Sequence, residues 1–126
     1  LFLDVKLPYL DKINEHKRKL ASMYLEQLKD DFILPVVHPD YFDVYHIFNI
    51  RHPRRDALKE YLLKLNIGTE IHYPVAPNKQ KAMAHLLAKS SFPIAEEIHA
   101  TTLSLPCSSC HSESDIQMVI EALNAF

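Results

Sequence analysis

Glycine is almost absent from this chain: Gly68 is the only one in 126 residues, against about 7% in an ordinary domain. Loops that cradle phosphate depend on glycines, because a backbone without Cβ lets successive N–H groups approach the oxygens closely. A Walker loop and a dinucleotide fingerprint are both excluded, so any cofactor phosphate must be held mainly elsewhere. Charge of one sign is lacking too. Fourteen Lys and Arg against sixteen Asp and Glu leave a formal charge of -2, and the two signs are interleaved. That gives no cationic face for nucleic acid and no polybasic patch for membrane. No apolar run approaches the roughly 18–20 residues of a membrane span, and residues 1–6 carry neither the basic n-region nor the cleavage site of a secretory signal. These absences make the cytoplasm the default compartment. What remains, 48% apolar and 24% charged, suits one domain with its own core.

What the chain does have is pattern. From Leu7 the apolar positions Leu10, Ile13, Leu20, Tyr24 and Leu28 recur at helical spacing between charged residues, which predicts a long amphipathic helix. Pro8 fits a helix's first turn without losing a hydrogen bond, so the helix either begins near Leu7 or continues from Phe2 with a kink, the preferred version. Residues 44–51 are β-branched and aromatic, the length of a strand, and are expected to be central. His52-Pro53 stops that strand. Leu58, Tyr61, Leu62 and Leu65 describe a second helix ending at Asn66 or Gly68, where a left-handed residue caps it. Residues 69–73 return as a short strand, residues 74–77 turn the chain, and a mostly helical segment follows from Lys79 to Ala88. Pro93 starts a short helix through Ile98, and residues 102–105 read as a strand closed by Pro106. Ser112-x-x-Asp115 opens the last helix as a capping box with Asp in place of Glu or Gln, and Ile116, Val119, Ile120 and Leu123 form that helix's apolar face. With no repeat and no dividing linker, the fold class is α+β: a small, mainly antiparallel sheet with packed helices.

Cys107-Ser108-Ser109-Cys110-His111 matches the C-x-x-C-H pattern of c-type haem attachment. That reading needs export and a distal ligand, whereas Met23, Met83 and Met118 occupy positions that suit helix packing. Zinc would need a fourth ligand, with His99 or His85 the candidates, and a redox dithiol is a further alternative. A polar turn between a strand and a helix, with both cysteines reduced, carries the greatest weight. The eight histidines are scattered. His16, His85 and His99 lie in helical stretches among charged neighbours and read as solvated. His46 and His72 sit beside strand residues and on spacing alone read as structural, although His72 precedes Tyr73-Pro74 at a strand end, where side chains commonly reach a ligand. No serine has a nucleophile elbow, a turn that is hard to make without glycine. Residue by residue, the reading stops at an α+β domain with a polar site near His72.

At residues 71–80, Ile-His-Tyr-Pro-Val-Ala-Pro-Asn-Lys-Gln, the chain resembles the C-terminal region of the DegT/StrS-type sugar aminotransferases, fold type I pyridoxal-phosphate enzymes. Other blocks agree in order and spacing. Val5-Lys6-Leu7 with Leu10-Asp11, Arg18 and residues 21–24 resembles the family's long helix. Val44-Tyr45-His46, Ile50-Arg51 and Arg55-Asp56-x-Leu58 resemble its next strand and helix. Residues 65–69 precede the His-Tyr-Pro block, and Phe92-Pro93, Glu96 and residues 103–106 follow it. The resemblance spans nearly the whole chain and is nearest to enzymes that aminate a nucleotide-linked keto-6-deoxyhexose. Asn78 departs from the pattern, standing where many relatives have histidine, although an amide still donates and accepts hydrogen bonds. Cys107 and Cys110 stand where relatives vary.

The resemblance implies pyridoxal phosphate held by a lysine in the full-length enzyme, with glutamate as amino donor and a nucleotide-linked keto sugar as acceptor. It further implies a cytoplasmic homodimer serving deoxyamino sugar or lipopolysaccharide biosynthesis. In this family that lysine lies in the larger N-terminal domain, in a serine and glycine context that none of the ten lysines here shares. Residues 1–126 are therefore expected to be the C-terminal domain without the cofactor-binding domain, inactive alone and holding no catalytic residue, cofactor or metal. The implied role is to cover one side of the active site, with His72 and Tyr73 nearest the substrate and Asn78 and Gln80 at the rim. The alternative is a stand-alone binding or scaffolding domain of the same fold. About 230–250 further residues upstream, more than one domain's usual size, would favour the enzyme, and a start codon at Leu1 the scaffold.

Overall fold

The computed structural model describes residues 2–87 and 90–126. Helix α1 (Phe2–Lys6) passes through a 3-10 turn at Leu7–Tyr9 into helix α2 (Leu10–Gln27). Pro8 lies in that turn. Lacking an N–H, it cannot close an α-helical bond to the preceding turn, and the ladder tightens there instead of running straight. The kinked helix from Phe2 is what forms. Only its later part is buried, along Lys17, Leu20, Ala21 and Tyr24, while Leu10 stays exposed.

Strands β1 (Phe48–Arg51) and β2 (Thr102–Leu105) pair antiparallel, with Phe48 opposite Leu105 and Asn49 opposite Ser104. Ile33 bridges to Arg51 on the outer side of β1, and Glu70 bridges to Ser104 on the outer side of β2. The order across the sheet is Ile33, β1, β2, Glu70, so β1 is internal as expected. Its length is half the expected one. Tyr45 takes a left-handed φ of 44°, and side chains from α2 claim carbonyls that a ladder would otherwise use: Lys17 Nζ donates to His46 O at 2.9 Å and Arg18 to Asp43 O. The strand expected over residues 69–73 likewise shrinks to the single bridge at Glu70. Lys59 Nζ takes the Thr69 carbonyl at 3.1 Å, His99 Nδ1 bonds the Tyr73 carbonyl at 2.5 Å, and Pro74 has no N–H for a ladder.

Helix α3 (Arg55–Lys64) returns along the sheet and buries Leu58 and Leu62. It ends at Asn66, with φ 60°. Ile67 N–H reaches back to Leu62 O at 2.9 Å and Asn66 N–H to Leu63 O at 3.0 Å, the paired bonds of a Schellman ending. Gly68, the other candidate cap, does not have a positive φ. After 3-10 turns at Pro77–Lys79 and Lys81–Met83 comes the short helix α4 (Ala84–Leu87). The segment expected to be mostly helical from Lys79 to Ala88 is helical in short pieces, 3-10 turns followed by α4, and Ala88 itself lies outside the described residues. Helix α5 (Pro93–Thr101) has Pro93 in its first turn and runs directly into β2.

Helix α6 (Glu113–Asn124) begins with the expected capping box: Ser112 Oγ accepts the Asp115 amide at 3.2 Å, and Asp115 Oδ2 accepts the Ser112 amide at 2.8 Å. Lys19 meets Glu113 at 2.6 Å near the start of α6, and Asn124 Nδ2 donates to Gln27 O at 2.9 Å at its end, so α2 and α6 lie side by side and parallel. Between them and the sheet the buried side chains form one cluster that includes Leu20, Tyr24, Phe48, Ile50, Leu62, Leu103 and Ile120. Tyr24 stacks on Phe48 at 4.9 Å and donates its hydroxyl to Pro106 O at 2.9 Å. Each such apolar side chain contributes about 1.5–3 kcal/mol on burial.

Candidate substrate-facing site

The polar site is built at the edge of the sheet. Asn49 and Ser104 face each other across the β1–β2 register, and directly opposed residues in an antiparallel pair share a face. Ser104 Oγ donates to Asn49 Oδ1 at 2.5 Å and lies 2.8 Å from His72 Nδ1. Both backbone polar groups of Ser104 are held by Glu70, its N–H to Glu70 O at 2.7 Å and its O from Glu70 N–H at 3.2 Å. His72, two residues beyond Glu70, is therefore fastened to the sheet interior although its own segment is barely a strand.

A pocket of about 180 Å³ opens beside this row, with His46, Thr69, Glu70, His72, Ser104 and Cys107 in its wall. Thr69 Oγ1 is buried and has no hydrogen-bond partner among the described residues. A separate groove of about 410 Å³ is lined by Tyr73, Pro74, Val75, Lys79, Gln80 and Lys81. A larger hollow of about 600 Å³ is lined in part by residues 43–47, Asn49 and Arg51. His72 and Tyr73, stacked edge to face at 5.5 Å, thus sit at the junction of two openings.

Tyr73, 65% exposed, and Gln80, also exposed, share the groove. Asn78 does not stand at an open rim. It is 6% exposed, and its Nδ2 donates to Glu96 Oε1 at 2.8 Å, tying the Pro77–Lys79 turn to the start of α5. That bond, with the Phe92 N–H and Lys79 Nζ at 3.4 Å, holds the Glu96 carboxyl below the usual carboxylate range. The partners of Ser104 and Asn49 could not be read from the sequence. A weak signal was there, in polar Asn49 and Arg51 alternating with buried Phe48 and Ile50 along β1.

The C-x-x-C-H segment folds as a turn. Ser108 donates its N–H to His111 Nδ1 at 3.1 Å, and His111 N–H returns to Ser108 O at 3.2 Å. Cys107 packs in the core while Cys110 is exposed, both with free thiols, and burial pushes the Cys107 thiol up. Among the described residues no three His, Cys, Asp or Glu side chains gather as a metal site, and no helix is long and apolar enough to cross a membrane. Two of the three histidines read as solvated are tethered instead: His16 Nε2 bonds His111 O at 2.8 Å and His99 Nδ1 bonds Tyr73 O.

Among the described residues the buried lysine is Lys17, which spends its ammonium on the His46 carbonyl, and Gly68 does not have a positive φ.

Comparison with known proteins places this architecture. The chain is 44% identical over 125 residues to a dTDP-3-amino-3,6-dideoxy-α-D-galactopyranose transaminase of Aneurinibacillus thermoaerophilus, covering 98% of this chain and 34% of that protein. It superimposes on the crystal structure of S. venezuelae DesV in complex with a ketimine intermediate with a TM-score of 0.94 and 34% identity, over 98% of this chain and 34% of that one. NtdA from Bacillus subtilis with bound cofactor PMP matches with a TM-score of 0.76 and 27% identity, over 91% of this chain and 28% of that one. The chain thus spans about a third of the length of the proteins it matches. The profile of the DegT/DnrJ/EryC1/StrS aminotransferase family matches residues 2–124, and the chain belongs to that family.

Proposed function

We propose that this chain is the C-terminal domain of a longer pyridoxal-phosphate-dependent aminotransferase that moves an amino group, from glutamate, onto a nucleotide-linked keto sugar. The observation that carries this reading is that a relative named as a dTDP-amino-sugar transaminase matches 98% of this chain with only 34% of its own length. A surface left for another part of the protein supports it. Phe2 is 90% exposed, Val36 88% and Phe42 71%, and Leu3, Val5 and Leu7 are exposed beside Phe2. Apolar surface of this kind is ordinarily covered by a partner or a neighbouring domain.

The division of labour follows from the residues. Pyridoxal phosphate supplies an electron sink and carries the amino group when bound, and the rest of the longer protein holds it. This domain binds and orients the sugar: His72 and Tyr73 reach the substrate from the sheet edge, Gln80 lines the groove beside Tyr73, and Asn78 shapes that groove through Glu96. The full-length enzyme is a cytoplasmic homodimer in this reading. In a titration of the isolated chain with pyridoxal phosphate, the expected outcome is no stoichiometric absorbance change that survives dialysis, and no transaminase activity. A stable, stoichiometric cofactor complex of these residues alone overturns the reading.

A further inference from the structure

We propose that Ser104 and Asn49 are positioning residues that hold His72 as its Nδ1–H tautomer, so that Nε2 accepts a hydrogen bond from a sugar hydroxyl. The inference rests on the reading of His72 as a substrate contact and adds which chemical group it meets.

A serine hydroxyl has one hydrogen to give. Ser104 Oγ gives its hydrogen to Asn49 Oδ1, so across the 2.8 Å to His72 Nδ1 the proton must lie on the imidazole nitrogen. A neutral ring with its proton on Nδ1 presents a bare lone pair at Nε2. Such a nitrogen accepts from a hydroxyl and offers nothing to a phosphate oxygen, which is itself an acceptor.

The geometry is imposed by the sheet. Asn49 and Ser104 oppose each other in register, Ser104 is fastened to Glu70 through both backbone groups, and His72 follows Glu70 by two residues. The pocket beside His72 agrees in character. Its wall includes the acidic Glu70 and Thr69, whose buried hydroxyl has no partner among the described residues. The lysines Lys79 and Lys81 line the other groove, with Tyr73. A carboxylate and an unsatisfied hydroxyl suit a polyol and disfavour a phosphoanion.

The test begins with two-bond 1H–15N correlation spectra of the imidazoles in this chain at about pH 9, where imidazole is neutral, with the His72 signals assigned by their loss in His72→Gln. The expected spectrum has Nδ1 protonated and Nε2 bare. Ser104→Ala should move His72 to the Nε2–H tautomer, while Ser104→Thr and Asn49→Asp, which preserve the donor and the acceptor, should not. An Nε2–H ring in the parent chain, or no change in Ser104→Ala, overturns the positioning role. These spectra need no substrate, so their failure leaves the proposed function standing. In the longer enzyme Ser104→Ala should raise the keto-sugar KM about 2- to 12-fold, the loss of one neutral hydrogen bond, with the amino-donor half-reaction unchanged and Ser104→Thr restoring the parent KM. A Ser104→Ala enzyme with unaltered sugar KM overturns the hydroxyl assignment.

Discussion

His52 is buried between aromatic rings, with Phe32 at 5.4 Å and Phe126 at 5.5 Å, and its Nδ1 accepts the Arg54 amide at 3.1 Å. Burial first, and then the charge of Arg54, hold this imidazole below its ordinary value, with Asp31 acting against them. The unfolded chain therefore binds a proton that the folded chain refuses, over the window from the ordinary histidine value of about 6.5 down to the depressed one. Stability from this site is complete above that window and is lost as the pH falls through it. Urea midpoints should accordingly decline as the pH falls below about 6.5, and His52→Gln, which keeps an acceptor but cannot charge, should flatten that decline. A parent midpoint that stays level, or rises, across the range contradicts the assignment. Asp115 and Glu96 act at lower pH: their carboxyls lie below the ordinary range through hydrogen bonds led by the Ser112 amide and the Asn78 amide respectively. Their contribution is present at neutral pH and disappears as acid protonates them.

At the scale of elements, the most legible parts were those whose cause is local. The capping box at Ser112 and Asp115, the apolar stripe of α6, Pro93 opening α5 and the end of α3 all depend on residues within one or two turns of each other. The strand over residues 102–105 formed as expected, but those over residues 44–51 and 69–73 were misjudged in length because their limits are set from afar. Lys17 and Arg18 on α2 capture carbonyls 29 and 25 residues on, which no β-propensity reports. The site was half legible for the same reason. His72 and Tyr73 announce themselves before Pro74, whereas the Ser104–Asn49 bond joins residues 55 apart, and the burial of Asn78 depends on Glu96 in another helix. Asn66 offers a test at this scale. It holds φ 60°, a conformation that costs about 1–2 kcal/mol for a side chain with a branched Cβ and little for glycine. Asn66→Val should destabilise the domain by about that amount while Asn66→Gly leaves it near the parent. Equal urea midpoints for the two variants would show that α3 does not depend on this cap.

For the whole molecule, the fold supplies one core and two kinds of surface. The core is closed by α2, α3 and α6 on the short sheet. The sheet edge carries the polar row that ends at His72, and α1 with residues 36–42 carries exposed apolar side chains. A domain so arranged can present a substrate contact on a rigid frame while the remainder of a longer protein supplies the cofactor chemistry. That division is tested by placing His72→Ala in the longer enzyme and following the two half-reactions separately by stopped flow. The account predicts that kcat/KM for the keto sugar falls about 2- to 12-fold, through KM, as expected for one lost neutral hydrogen bond, while the half-reaction with the amino donor keeps its rate. An amino-donor half-reaction slowed by several orders of magnitude, with the fold intact, would place His72 in the chemistry itself and contradict the account.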